Sequence, residues 1–406
     1  MSEEKPRLER ASNGYQVHYR GRRLYASSDP RGGAVRRANA AEISSQTLVI
    51  AASPLLGYGL DELLARCPED AIVLAVELDE ELARVTRDTC FREEGPASGE
   101  GEASFRRDPR LIWTLAPTTP ELQALLPSLL ARRPRRTQLV ALSGGFTLDS
   151  ATYRHLVQRL EDEIRVFWQN AMTRVRLGRL WIRNLFRNLA LIPESVPLSR
   201  LHSDLPTVVA AAGPSLDDHI GELPSDDDPR RRNVRIIAVD TALAPLAAHG
   251  VTPDLVTAIE SQQANAGDFL GAPQERTHLI CDLTAYPSVV RSFPPQRRSF
   301  VASRFAPTVL LERLGREALL PQEVPPLGSV GVLAAVLARR LTTGPVYFLG
   351  LDFCYDLERT HAGGAPMQTL ALTRRTRLNP SPFFETALNR PLLTLADKRG
   401  QHVRSD

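Results

Sequence analysis

The strongest constraint on this chain is one repeated pattern. A short, continuous apolar run is followed by a turn and then by a stretch of helical periodicity. The runs are Thr47–Ala52 (TLVIAA), Ala71–Val76 (AIVLAV), Thr207–Ala212 (TVVAAA), Val234–Val239 (VRIIAV) and Val346–Leu351 (VYFLGL). Unbroken apolar character suits a strand covered on both faces, which in turn suits parallel pairing. Leu111–Leu115, Gln138–Leu142, Leu255–Ile259, His278–Cys281 and Ser299–Ala302 add candidate strands, and Gly14–Arg20 and Arg22–Ala26 are possible short ones. Thr241–Gly250 and the apolar Ser329–Leu341 read as helices between them. The alternation predicts an α/β protein with a doubly wound, mostly parallel sheet.

Residues 151–192 break the pattern. They have no proline, and Arg-rich positions alternate with Leu, Val, Phe and Trp. This predicts an amphipathic helix or helix pair, ended by Pro193 and Pro197. The expected organisation is therefore an α/β domain over 1–150, a helical linker over 151–197, a second α/β domain over 198–365, and the start of a C-terminal region, cut short, over 366–406. Glu93–Asp108, rich in Gly, Glu and Ser, reads as a mobile loop.

Charge and composition exclude several function classes. Lys+Arg 50 against Asp+Glu 47 leaves +3, too balanced for wrapping nucleic acid. Lys5 and Lys398 are the only lysines, which excludes a phosphate-binding P-loop lysine and disfavours catalytic-lysine chemistry. Cys67, Cys90, Cys281 and Cys354 are far apart and form no CxxC, so free thiols in a reducing compartment are expected. The charged N-terminus has no apolar core of a signal peptide, and no apolar stretch reaches the ~20 residues of a membrane span. A cytoplasmic protein is expected, with no membrane contact.

Ligands of a doubly wound sheet bind off the carboxyl ends of its strands. Several polar features fall there. Gly213-Pro214-Ser215-Leu216 follows one strand and opens a helix; backbone N–H groups at such a start suit a phosphate, although an ordinary strand-to-helix turn would look the same. Asp240 ends the next strand and can accept from a sugar hydroxyl or cap the helix behind it. Glu260-Ser261-Gln262-Gln263-Ala264-Asn265 is a polar run after a third strand, fit for a sugar or base edge. Gly328-Ser329 precedes an apolar helix as anion contact or cap. His361, in a Gly-rich loop, is the best general-base candidate, with Asp352 to orient it. No His/Cys/carboxylate cluster has metal-ligand spacing. In the first domain, Gly57-x-Gly59 with Glu77 suggests a cofactor fold, but the third glycine of that fingerprint is missing, and a structural role fits better.

The strings LPTVVAAAGPSLDDHI, IIAVDTALAPLAAHGVTPDLVTAIESQQAN, PPLGSVGVLAAVLARRL and VYFLGLDFCYDLERTHAGG occur in this order. Together they resemble the motility-associated factor (Maf) flagellin glycosyltransferases. These share a domain similar to the 6-hydroxymethylpterin diphosphokinase of the MptE type. TRVRLGRLWIRNLFRNL, with Asn184 and Asn188 one turn apart, resembles the helical segment before that domain. The resemblance covers roughly residues 47–400. It implies a Rossmann-like, sialyltransferase-like central domain that moves a nonulosonic acid from a CMP-activated donor to Ser or Thr of flagellin. By motif, Gly213, Pro214, Ser215 and Leu216 would line the nucleotide site. Asp240, Thr241, Glu260, Gln263, Asn265, Gly328 and Ser329 would frame donor and acceptor, and Asp352, Tyr355 and His361 match the late motif. His361, Asp352 and Glu260 are thus the expected catalytic set, with no cofactor or metal required. Glu260 stands where the family often has Asp, and Leu327 where it often has Gly. Two other activities fit less of the pattern: an ATP- and Mg²⁺-dependent pterin diphosphokinase, and a non-catalytic motility-linked binding protein.

Overall fold

The computed structural model describes residues 5–26, 28–91, 104–303, 309–355, 359–378, 393–396 and 402–405. The chain forms two compact units, Met1–Thr173 and Arg174–Asp406. The division falls inside one continuous helix, Ser150–Leu189, whereas the sequence reading starts the second α/β domain at 198.

The first unit opens with an antiparallel sheet of β1 (Arg7–Ala11), β2 (Gly14–Tyr19) and β3 (Arg22–Arg23). Its main sheet holds β4 (Thr47–Ala52), β5 (Ile72–Glu77), β6 (Leu111–Leu115) and β7 (Arg136–Ala141), all parallel, in the order β6-β5-β4-β7. Alternate residues of each central strand face opposite cores. Val49, Ala51, Val73 and Ala75 join one, and Leu48, Ile50, Ile72 and Leu74 join the other. This is why these strands read as unbroken apolar runs. The second core is closed by Tyr153, Leu156, Leu160 and Ile164, one stripe of the long helix. Of the expected loop at 93–108, residues 93–103 lie outside the described residues, and Ser104–Arg107 form a 3₁₀ turn with Phe105 buried.

Glu77 lies in this unit and is 1% exposed. Its carboxylate accepts from Ser53 Oγ at 2.7 Å and from Tyr153 Oη at 3.1 Å, and Ser143 Oγ donates to Ser53 Oγ at 2.8 Å. Gly57 and Gly59 have positive φ, and a Cβ on either would strike Phe105 or the Ala34 backbone. Both observations agree with a structural rather than a cofactor-binding role.

The second unit holds a seven-stranded parallel sheet. Its strands are β8 (Thr207–Ala210), β9 (Arg235–Val239), β10 (Leu255–Ala258), β11 (His278–Asp282), β12 (Arg298–Ser303), β13 (Glu323–Val324) and β14 (Val346–Leu349). The order β13-β12-β11-β10-β9-β8-β14 runs outward from β8 in one direction and then restarts on its other side at β14. That is the order of a doubly wound, Rossmann-like sheet. The helix Val330–Leu341 packs across β8, β9, β10 and β14. After β14 come β15 (Cys354–Tyr355), the helix Pro366–Thr373, β16 (Leu393–Ala396) and β17 (His402–Ser405), the three strands forming a small antiparallel sheet that the sequence does not announce. No helix among the described residues is long and apolar enough to cross a membrane.

Candidate functional site

A doubly wound sheet opens a crevice where its strand order reverses. Here that point lies between β8 and β14. Beyond their ends the two strands remain joined, by Ala211 N–H to Leu349 O and Gly213 N–H to Gly350 O, both 2.8 Å. The Asp352 carboxylate then folds over the Gly213 turn. It accepts from Ser215 N–H at 2.8 Å and from the Ser215 hydroxyl. A Cβ on Gly213 would run into Asp352 and lie 2.5 Å from Gly350 O. Glycine is required here by this close approach.

This geometry corrects the role expected of the Gly213–Leu216 turn. Its N–H groups are already used: Gly213 by Gly350, Ser215 by Asp352, Leu216 by Gly213 O and Asp217 by Pro214 O. Leu216 is fully buried, and the helix that follows, Leu216–His219, is a single turn. The anion on this turn is the protein's own carboxylate. It also corrects the role expected of Asp352, which is bonded to Ser215 rather than oriented toward His361.

His361 nevertheless lies beside the turn. Ala362 N–H donates to Ala212 O at 2.8 Å, and Gly363 N–H donates to Asp217 Oδ1 at 2.9 Å. The His361 Nδ1 pairs with Thr360 Oγ1 at 3.1 Å, and burial pushes the imidazole pKa down, so the ring is neutral near pH 7. Ser329 accepts from Gly331 N–H at 3.2 Å and is an N-cap. A Cβ on Gly331 would lie 2.5 Å from Leu351, so this helix start adjoins the end of β14. Gly328 is exposed with open space around it. Tyr355 is in β15, and its side chain lies outside the described residues.

The second cluster sits at the ends of β9 and β10. Asp240 is 3% exposed and accepts from Thr241 N–H at 2.9 Å and from Asn265 Nδ2 at 2.8 Å. The same Nδ2 donates to Asp268 Oδ2 at 3.2 Å, while the buried Asn265 Oδ1 has no partner among the described residues. Burial lifts the Asp240 pKa to about 7; the two hydrogen bonds oppose this, and the charges of Asp268 and Glu260 reinforce it. Such a value lets one carboxyl group both take and give a proton near neutrality. Glu260 is half-buried, and its Oε1 accepts from Gln262 N–H at 2.9 Å and Ser261 Oγ at 3.4 Å. Gln263 is exposed. An N–H donor between Asp240 and Asp268 is the wrong partner for a cation there, and no metal-holding group of three or more His, Cys, Asp or Glu occurs among the described residues.

The polar run after β10 is held from behind by the long helix. Asn184 Nδ2 donates to Ser261 O (2.9 Å) and Thr284 O (3.1 Å). Asn188 Nδ2 donates to Leu283 O (3.0 Å) and Ala285 O (2.9 Å). Trp181 Nε1 donates to Ser261 Oγ at 3.1 Å. Asn184→Leu should therefore strand two buried carbonyls and destabilise the second unit by about 2–4 kcal/mol, read as a lower urea midpoint; an unchanged midpoint would contradict this clamp. Asp268 and Asp217 are absent from the sequence-derived set. The three-residue spacing Asn265–Asp268 within one helical turn was the available signal for the first; nothing marked the second. Two hollows lie elsewhere. One, of about 950 Å³, surrounds Trp168 and Arg135 in the first unit, and one of about 840 Å³ lies at the amino edge of the second unit's sheet.

Residues 183–358 match the family model for 6-hydroxymethylpterin diphosphokinase MptE-like proteins. A protein of Treponema pallidum (strain Nichols), described as uncharacterized, is 29% identical over 396 residues, 92% of this chain and 64% of its own length. A solved Maf glycosyltransferase from Magnetospirillum magneticum AMB-1 superposes with a TM-score of 0.60 over 99% of this chain and 64% of that one, at 16% identity. The chain thus spans 64% of the length of each relative.

Proposed function

We propose that this chain, which carries the MptE-like domain on the fold of a Maf glycosyltransferase, is itself a glycosyltransferase. The observation that carries the reading is Asp240, a buried carboxyl with a pKa of about 7, next to the unpartnered Asn265 Oδ1 at the carboxyl edge. The donor is a CMP-activated nonulosonic acid and the acceptor a Ser or Thr hydroxyl of flagellin, met in the cytoplasm. No disulfide joins the cysteines among the described residues, which suits a reducing compartment. Ser215 and Asp352 fix the loop that borders the donor. Asn265 Oδ1 accepts a ligand hydroxyl or amino proton. Glu260, Thr241, Gln263 and Ser329 complete the wall. Either Asp240 or the neutral His361 takes the acceptor hydroxyl proton. The reading invokes no metal, since an N–H donor rather than a cation bridges Asp240 and Asp268.

Two measurements test this. Incubation with CMP-nonulosonate and flagellin should add the sugar mass to flagellin; no transfer with verified donor and acceptor rejects the reading. A thermal-shift screen of CMP, UMP, GDP and ATP, each with and without Mg²⁺, should select CMP without metal. A shift seen only with ATP and Mg²⁺ would favour diphosphoryl transfer instead, and flagellin binding without any nucleotide would favour a non-catalytic partner. Replacement of the base should lower the rate about 10²–10⁴-fold and remove the acid limb of the pH–rate profile. If Asp240→Asn does so while His361→Gln does not, the base is Asp240; the converse assigns it to His361.

A further inference from the structure

At the amino edge of the seven-stranded sheet, away from the groups above, lies the hollow of about 840 Å³. It is bounded by residues that lead into β8, β9 and β10, among them Leu205, Val234 and Pro253. That size suits a small molecule. Arg235, the first residue of β9, lines it and is 8% exposed. A guanidinium so buried is normally matched by a carboxylate. Arg235 instead donates from Nη1 to Leu341 O at 3.2 Å and forms no ion pair among the described residues.

Three of the four acids in the wall, Asp226, Asp228 and Asp254, are committed elsewhere, and the fourth, Asp227, is exposed. Asp254 accepts from Arg231 Nη2 at 3.0 Å and Ile236 N–H at 2.7 Å. Asp226 holds Arg276 at 2.9 Å and Thr252 Oγ1 at 2.6 Å. Asp228 is engaged by Arg230. On the rim, Arg200 and Arg232 are exposed and form no ion pair among the described residues. Three guanidinium groups thus line one hollow without an ion-pair partner among the described residues, and the charges of the exposed Asp227 and of Asp254, which acts on Arg235 through space, offset them only in part.

We propose that this hollow is a second ligand site, for a small molecule carrying a multiply charged phosphoryl group bound by Arg235, Arg200 and Arg232. Planar guanidinium forks match phosphoryl oxygens in pairs. A group with two or more negative charges balances the open cations. The acidic walls turn away an extended polyanion such as nucleic acid, which needs a continuous basic face.

Inorganic pyrophosphate is the probe, followed by titration calorimetry in the absence of metal. One molecule should bind per chain, more weakly as salt rises. Arg200→Gln with Arg232→Gln, both at exposed positions, should leave the melting midpoint unchanged and weaken binding at least about tenfold. Asp240→Asn, at the opposite edge, should leave the affinity unchanged. The site is refuted if pyrophosphate at about 10 mM gives no heat. It is equally refuted if the double variant binds like wild type, or if binding disappears with Asp240→Asn.

Discussion

Gly213→Ala should abolish the proposed transfer and lower the stability of the second unit by about 1–3 kcal/mol, the usual effect of forcing a methyl group into a filled space. The new Cβ would meet the Asp352 carboxylate and would stand 2.5 Å from Gly350 O. Neither neighbour can yield cheaply. Asp352 is tied to Ser215 by two hydrogen bonds, and Gly350 O accepts from Gly213 N–H itself. Gly350 is itself packed against Ala211 O and the Leu216 side chain, which leaves its backbone little room to absorb the displacement. The loops beyond β8 and β14 must therefore separate, which opens the crevice at the strand-order reversal. Gly328→Ala is the matched control. Nothing lies within 4 Å of a Cβ there, and its stability should change by less than about 0.5 kcal/mol. Urea unfolding of both variants, with transfer assayed in parallel, decides the matter. Equal midpoints for the two variants would show that the Gly213–Asp352 apposition does not exist in solution.

The sheet was legible because its residues obey one rule. Thr47–Ala52 and Leu111–Leu115 coincide with the expected strands, and β9 and β14 begin within a residue of theirs. Buried parallel strands need apolar residues on both faces, and few other structures do. The small antiparallel sheet of β15, β16 and β17 was not legible: two- to four-residue strands carry too little periodicity to stand out. For the site, sequence placed polar residues at strand ends but could not say what they would touch. Asp352 shows the difference. Its position after β14 was readable, yet only the fold reveals that its partner is Ser215, 137 residues earlier, rather than His361, nine residues on. Burial is likewise a tertiary property. Asp240 has the same local signature as a helix cap, and its raised pKa comes from what packs over it.

Asp240 and Glu77 should make the protein lose stability as the medium turns from mildly acidic to neutral. Burial raises both carboxyls to about 7, from ordinary values of 3.8 and 4.5. A carboxyl whose folded pKa is raised holds its proton more tightly in the native state. Its contribution is complete below the unfolded value, near pH 4, and is lost as pH climbs through 7. Shifts of this size correspond to roughly 3–4.5 kcal/mol for each group. His278 acts in the opposite sense over part of the same range. Burial lowers its pKa to about 4, so its neutral native form gains relative stability as pH rises toward 6.5. The wild-type curve is then a sum of opposing slopes, and difference curves isolate each carboxyl. Asp240→Asn should be more stable than wild type at about pH 8 by more than at about pH 5, because the amide never has to ionise in a buried place. The unpartnered Oδ1 of Asn265 gives that residue an acceptor to turn toward the new amide. Glu77→Gln should show the same divergence in the first unit, reduced by the Ser53 and Tyr153 bonds that favour the charged form. Urea midpoints measured across this range provide the readout. A variant-minus-wild-type difference that does not grow between the two pH values would mean that these carboxyls ionise as freely in the fold as in water.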